Sequence, residues 1–183
     1  MPMLLLVRGG GTHLAIGMLQ PSIERVTMAS EVEIHFLSVH QALPLRAAVL
    51  RSGRPMQDAI LPGDDAEQTI HLGAFADGQL VAVASLFHEP APLESNSGAW
   101  RLRGMAVSPP AQGKGYGRAL LQACFNHVVA QGGSVLWCNA RATAKGFYLS
   151  CGFEVQGEEF EIPGIGPHFV MLRCINAEYY VAA

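Results

Sequence analysis

Leu102-Arg103-Gly104-Met105-Ala106-Val107-Ser108-Pro109-Pro110-Ala111-Gln112-Gly113-Lys114-Gly115-Tyr116-Gly117-Arg118-Ala119-Leu120-Leu121 is the stretch that decides the fold. It reads as a strand, a glycine-rich loop and the opening of a helix. A loop that hands directly into a helix presents backbone N–H groups with no partner inside the helix. Glycines remove the side chains that would keep a phosphate away from those groups. Gly113, Gly115 and Gly117 meet that need, and Lys114 and Arg118 add positive charge where the helix dipole also favours an anion.

Two better-known glycine motifs fail on counting. A dinucleotide fingerprint G-x-G-x-x-G begun at Gly113 requires glycine at 118, where the chain has Arg118. A Walker A loop ending at Gly113-Lys114 requires Ser or Thr next and a glycine where Ser108 stands; the next residue is Gly115. A nucleoside-triphosphate enzyme is therefore disfavoured.

Working outward, the helix after the loop carries Leu120, Leu121, Cys124, Phe125 and Val128 on one stripe and ends at Gly132-Gly133. Upstream, Val32 to Leu37 alternates as a strand, and His40 to Arg51 repeats apolar residues at helical spacing. Ser52 to Gln68, rich in Gly, Pro and Asp, reads as a loop with room for one short helix. Ile70 to Ala76 and Gln79 to Phe87 flank Asp77-Gly78, a dipeptide suited to a tight hairpin turn. Glu89 to Gly98 is a connector into the strand Ala99 to Val107. Downstream come a short buried strand from Ser134 to Cys138, a helix from Thr143 to Cys151 stopped by Gly152, and closing strands Phe153 to Ile162 and His168 to Ile175.

The run Gln112-Gly113-Lys114-Gly115-Tyr116-Gly117, in this strand–loop–helix setting, resembles the GNAT acetyltransferase superfamily. A second likeness is carried by Asn139-Ala140-Arg141 and by Ala144-Lys145-Gly146-Phe147-Tyr148-Leu149-Ser150-Cys151-Gly152-Phe153, similar to the family's strand-end Asn followed by A-x-x-F-Y-x-x-x-G-F. The resemblance spans roughly Val32 to Arg173. It implies an α+β fold: a mixed, mostly antiparallel sheet of about seven strands with about four helices. In it the strands before and after the glycine-loop helix run parallel and splay apart.

The same resemblance assigns roles. Gln112, Gly113, Lys114, Gly115, Tyr116, Gly117 and Arg118 would hold the CoA pyrophosphate, and Met105, Ala106 and Val107 would pair with the pantetheine arm. Asn139 would also bind that arm; as a bare residue it reads equally well as a strand-end turn. Tyr148 would protonate the departing thiolate, a plausible task for a phenol of pKa about 10 facing a thiol of about 8.5. On the helix Ala144, Tyr148 and Cys151 share a face, while Phe147 lies about 100 degrees round, towards the core. Backbone N–H groups near Met105 would stabilise the oxyanion.

Many family members place Glu or His earlier on the loop-bearing strand as the base; this chain has Trp100-Arg101-Leu102-Arg103. Glu89, Glu94 and His168 remain as bases acting through water, with His168 favoured for its place after Gly164-Ile165-Gly166-Pro167. Arg101 and Arg103 suit an anionic acceptor, or are plain solvated strand charges.

The expected function is acetyl transfer from acetyl-CoA to a primary amine of a small metabolite, peptide or protein, with no metal. The alternative is a non-catalytic acyl-CoA-binding or partner-binding module on the same fold. A formal charge of −3 gives no overall field for nucleic acid or an anionic membrane. No apolar run approaches the roughly 20 residues of a membrane span. Cys124, Cys138, Cys151 and Cys174 form no C-x-x-C pair and read as reduced, mostly buried residues, which fits a cytoplasmic protein. Met1 to Val7 lacks the basic segment of a signal peptide. Residues 1–28 are expected to be a poorly ordered extension, residues 29–183 to be the catalytic domain, and a homodimer is left open.

Overall fold

The computed structural model describes residues 32–92 and 98–175. The expected extension, residues 1–28, and the candidate base Glu94 lie outside the described residues. The chain runs β1 (Glu33–Leu37), α1 (Val39–Leu50), β2 (Ile70–Ala76), β3 (Gln79–Phe87), β4 (Ala99–Val107), α2 (Tyr116–Ala130), β5 (Val135–Arg141), α3 (Lys145–Ser150), β6 (Glu154–Ile162) and β7 (Gly166–Cys174). Short 3-10 turns at Met56–Ala59, Pro109–Ala111 and Ala142–Ala144 complete it. The short helix expected between Ser52 and Gln68 is the first of these turns.

The seven strands form one sheet in the order β1-β2-β3-β4-β5-β7-β6. Every pairing is antiparallel except β4 with β5. Asp77 and Gly78 both take positive φ, 50° and 72°, as a tight hairpin turn requires between β2 and β3. Alternation along the strands sends neighbours to opposite faces. Ala82 and Ala84 pack with the α2 stripe of Leu120, Leu121, Cys124, Phe125 and Val128, whereas Val83 packs with Ala42 of α1. Helices therefore cover both faces. Burying each large side chain of that stripe is worth about 1.5–3 kcal/mol, enough to hold α2 against the sheet.

Helix ends are set by local chemistry. Ser38 and Gln41 form a reciprocal capping box at the start of α1, with Gln41 N donating to Ser38 Oγ (3.3 Å) and Ser38 N to Gln41 Oε1 (2.8 Å). At the end of α2, Gly132 N donates to Val129 O and Gly133 N to Val128 O; α3 ends the same way, Gly152 N to Leu149 O and Phe153 N to Tyr148 O. Gly132 and Gly152 take φ of 70° and 80°, the left-handed step this ending needs.

One irregularity shapes the site. The parallel β4–β5 ladder holds three pairs, Ala99 with Val135, Trp100 with Leu136 and Arg101 with Trp137, and then stops. On its other side β4 carries a bulge: Val83 pairs with Ala106 and Ser85 with Arg103, so Gly104 and Met105 together face Ala84. Gly104 sits at φ 60°, as the bulge demands, and bends β4 away from β5.

Candidate active site

Where β4 and β5 part, two open volumes meet. A groove of about 530 Å3 follows Met105, Ala106 and Val107 to the glycine loop, with Gln112, Gly113, Gly115, Tyr116, Gly117 and Arg118 along it. A cavity of about 320 Å3 lies on the other side, reaching Arg101, Arg103, Asn139, Arg141 and His168. Both are walled by Leu50, Met105, Ala144 and Tyr148. Met105 and Tyr148 thus mark the junction.

The loop has the shape of a cradle. Gly113 and Gly115 adopt φ of 76° and 88°, with Gly115 as the N-cap of α2, and a Cβ on either would meet nothing within 4 Å. The space above them is open, so their backbone is approachable. A Cβ on Gly117 would stand 3.3 Å from Val107 Cγ2 and 3.6 Å from Phe147 Cζ, inside the groove. These features fit a pyrophosphate at the head of a 15-residue helix.

Tyr148 is held by the ending of α3. Phe153 donates its N–H to the Tyr148 carbonyl at 3.1 Å, and the two rings meet edge to face with centroids 5.2 Å apart. The tyrosine ring is buried, while Phe147 is half-buried and lines the groove, so it is Tyr148 that goes deeper into the core. The Tyr148 hydroxyl donates to Met105 Sδ at 3.6 Å. Burial, then the neighbouring Cys138, Cys124 and Cys151, pushes its pKa well above the ordinary 10. The phenol stays neutral, with a proton to offer. Cys138, beside it, is a buried thiol whose pKa desolvation pushes up to about 12.

His168 is buried in the cavity wall with Nδ1 2.7 Å from the Gly166 carbonyl oxygen. A carbonyl oxygen only accepts, so Nδ1 carries the proton and, in the neutral ring, the lone pair is on Nε2.

The model of the acetyltransferase (GNAT) domain matches residues 52–171. The chain belongs to the GNAT family. The uncharacterized N-acetyltransferase YitI of Bacillus subtilis strain 168 is 35% identical over 145 residues, 79% of this chain and 97% of that protein. Escherichia coli ElaA superposes with a TM-score of 0.63 at 27% identity, over 79% of this chain and 99% of that one. The ribosomal-protein-S18-alanine N-acetyltransferase of Escherichia coli shares the fold, with a TM-score of 0.62 at 19% identity, over 79% of this chain and 94% of that one. As a GNAT protein the chain is, in general terms, an acyl-CoA-dependent acetyltransferase.

Within this GNAT site the sequence-derived residues divide. Met105, Ala106, Val107, Gln112, Gly113, Gly115, Tyr116 and Gly117 line the groove. Lys114 is exposed beside it. Gln112 turns its amide back to the Val107 carbonyl at 3.1 Å and so ties loop to strand. Arg118 reaches the groove but gives its guanidinium to Ser150 O and Ser150 Oγ, both at 3.1 Å, linking α2 to α3. Asn139 lines the cavity rather than the groove, with Oδ1 buried and unpartnered. Glu89 is taken up by Arg101 at 2.9 Å and Arg103 at 3.5 Å. Among the described residues, no three or more His, Cys, Asp or Glu side chains are placed to hold a metal ion.

Sequence reading missed one buried assembly. Arg46 donates to Asp64 Oδ2 (2.6 Å), Ser85 Oγ (2.8 Å) and the Ala59 carbonyl (3.1 Å). His71 Nε2 donates to Asp64 O (2.8 Å), leaving Nδ1 to accept from Ser85 Oγ (2.7 Å). This network pins the loop before β2 onto the sheet and fixes one wall of the cavity. Its only sequence signal was an arginine on an otherwise apolar stretch of α1.

Proposed function

We propose that the protein transfers the acetyl group of acetyl-CoA directly to a primary amine of a small metabolite, peptide or protein. The observation that carries this reading is the meeting of groove and cavity at Tyr148, whose hydroxyl donates to the Met105 thioether with the Cys138 thiol beside it. A thioether is a weak acceptor. The hydroxyl is readily surrendered to a stronger one, such as a nascent thiolate.

Acetyl-CoA supplies an activated thioester carbonyl. The backbone of Gln112 to Gly117 holds the pyrophosphate at the α2 N-terminus, and the strand edge from Met105 to Val107 aligns the pantetheine arm. His168 Nε2 takes a proton from the acceptor ammonium, directly or through water, so that a neutral amine attacks. Backbone N–H groups near Met105 offset the charge developing on the carbonyl oxygen. The Tyr148 hydroxyl hands its proton to the departing sulfur.

The test pairs calorimetry of CoA binding with thioester consumption across a panel of amines. Binding with turnover supports the proposal. Absence of both removes it, and binding without turnover on any amine leaves a non-catalytic acyl-CoA-binding module.

A further inference from the structure

The cavity beyond Tyr148 is walled by five arginines, Arg46, Arg51, Arg101, Arg103 and Arg141, and by no Asp or Glu among the described residues. The chain as a whole is formally −3, so this concentration runs against its overall charge. Three of the five have a carboxylate: Arg46 has Asp64, and Arg101 and Arg103 share Glu89. Arg51 and Arg141 differ. No carboxylate of the described residues lies within 4.0 Å of either guanidinium.

Instead, both cations converge on one neutral oxygen. Arg51 Nη1 and Arg141 Nη2 donate to the Leu50 carbonyl at 2.9 and 2.8 Å. Arg51 Nε adds a bond to the Asp58 carbonyl at 3.2 Å. A guanidinium offers five N–H donors in a planar fork, so most of those on this pair remain for a ligand. A second opening of about 270 Å3 lies at the same place, lined by Arg51, Arg54, Arg141, Ser52 and Gly164 among others. The crowding has an electrostatic consequence: burial first, then Arg141 and Arg54, lower the Arg51 pKa, and Asp58, the smallest of the four influences, opposes them. An anion seated between the forks would relieve that repulsion.

The pair also has a fixed relation to the proposed base. Arg141 on β5 is the direct cross-strand partner of His168 on β7. Paired residues of adjacent antiparallel strands present their side chains on the same face, with Cβ atoms about 4.5–5.5 Å apart. Both side chains line the same cavity, so an anion at Arg141 and an amine at His168 would share it.

Building on the acetyl-transfer reading, we propose that the acceptor is a small amine bearing a carboxylate or phosphate close to its nitrogen, and that Arg51 and Arg141 hold that anion. Carboxylate and phosphate match the same fork and are separated by experiment.

The experiment compares matched acceptors with acetyl-CoA: α-amino acids against their carboxamides, aminoalkyl phosphates against the parent amino alcohols, and a polyamine as the cationic extreme. The anionic member of the preferred pair should show a kcat/KM about 100-fold higher, the scale of charge-assisted hydrogen bonds. Arg141→Gln and Arg51→Gln should erase that preference mainly through KM, and Arg141→Lys should restore part of it. Equal rates within both pairs, or a preference for the polyamine, overturn the inference and leave acetyl transfer standing. If no amine consumes thioester, calorimetry with the amino acid and the aminoalkyl phosphate on donor-free protein decides. Binding that is lost in the folded Arg141→Gln or Arg51→Gln protein upholds the anion seat, and no binding by the unaltered protein overturns it.

Discussion

The hydroxyl of Tyr148 lies 3.6 Å from the sulfur of Met105, linking α3 to the bulged strand β4 at the point where groove and cavity meet. Tyr148→Phe keeps the ring packing against Phe153 and removes only the proton. Turnover should fall by about 100- to 10,000-fold, the usual contribution of a positioned acid. CoA binding by calorimetry should be unchanged. A variant with full turnover would remove Tyr148 from the reaction.

Gly117→Ala separates stability from donor binding. Position 117 is helical, and alanine favours a helix by about 1 kcal/mol over glycine. The new Cβ would press on Val107 Cγ2 at 3.3 Å and project into the groove. Thermal unfolding should shift by less than about 1 kcal/mol, while CoA affinity falls at least about tenfold. Unaltered affinity would show that the donor does not pass over Gly117.

Much of this architecture was legible beforehand, and the reason is local. The α2 stripe, the Asp77-Gly78 turn and the glycine endings of α2 and α3 are each written within a few residues of one another. What escaped was long-range. Arg46 meets Asp64 and Ser85 across 18 and 39 positions, and Arg141 meets the Leu50 carbonyl across 91. Asp64, inside a segment read as a loop with room for one short helix, had no neighbour in sequence to announce Arg46 as its partner. Arg118 lines the groove and also meets Ser150 across 32 positions, a bond made available because the last carbonyls of a helix lack intrahelical donors.

Arg46→Ala should be among the most damaging single changes, costing about 3–5 kcal/mol, because it strands the Asp64 carboxylate in the interior. Arg46 and Asp64 side chains are 1% and 4% exposed, and without Arg46 the Asp64 carboxylate keeps only the Leu61 N–H, at 2.7 Å, among the hydrogen bonds described for it. Denaturant unfolding measures the loss. A change below about 1 kcal/mol would mean that Asp64 finds other donors.

Alkaline pH should weaken the fold through buried thiols. Desolvation pushes the Cys124 pKa from 9.0 up to about 12, and that of Cys138 likewise to about 12. The folded state keeps protons that the unfolded chain releases above pH 9. Stability is therefore whole below about pH 9 and declines as pH rises towards about 12. Unfolding midpoints across that window should fall in the unaltered protein and fall less steeply in Cys124→Ala, whose overall stability is lower. Parallel slopes in the two proteins would overturn this.

The β4–β5 ladder that ends after three rungs leaves the sheet one strand short along the edge beyond Arg101. On the acetyl-transfer reading, the pantetheine arm would pair along that edge as an eighth strand, so the co-substrate would complete the architecture as well as feed the reaction. Ligand that binds only the folded state adds stability in proportion to the logarithm of its concentration. On that reading the resistance of this protein to unfolding would become a gauge of the local acyl-CoA supply, read out by the scaffold itself before any amine arrives.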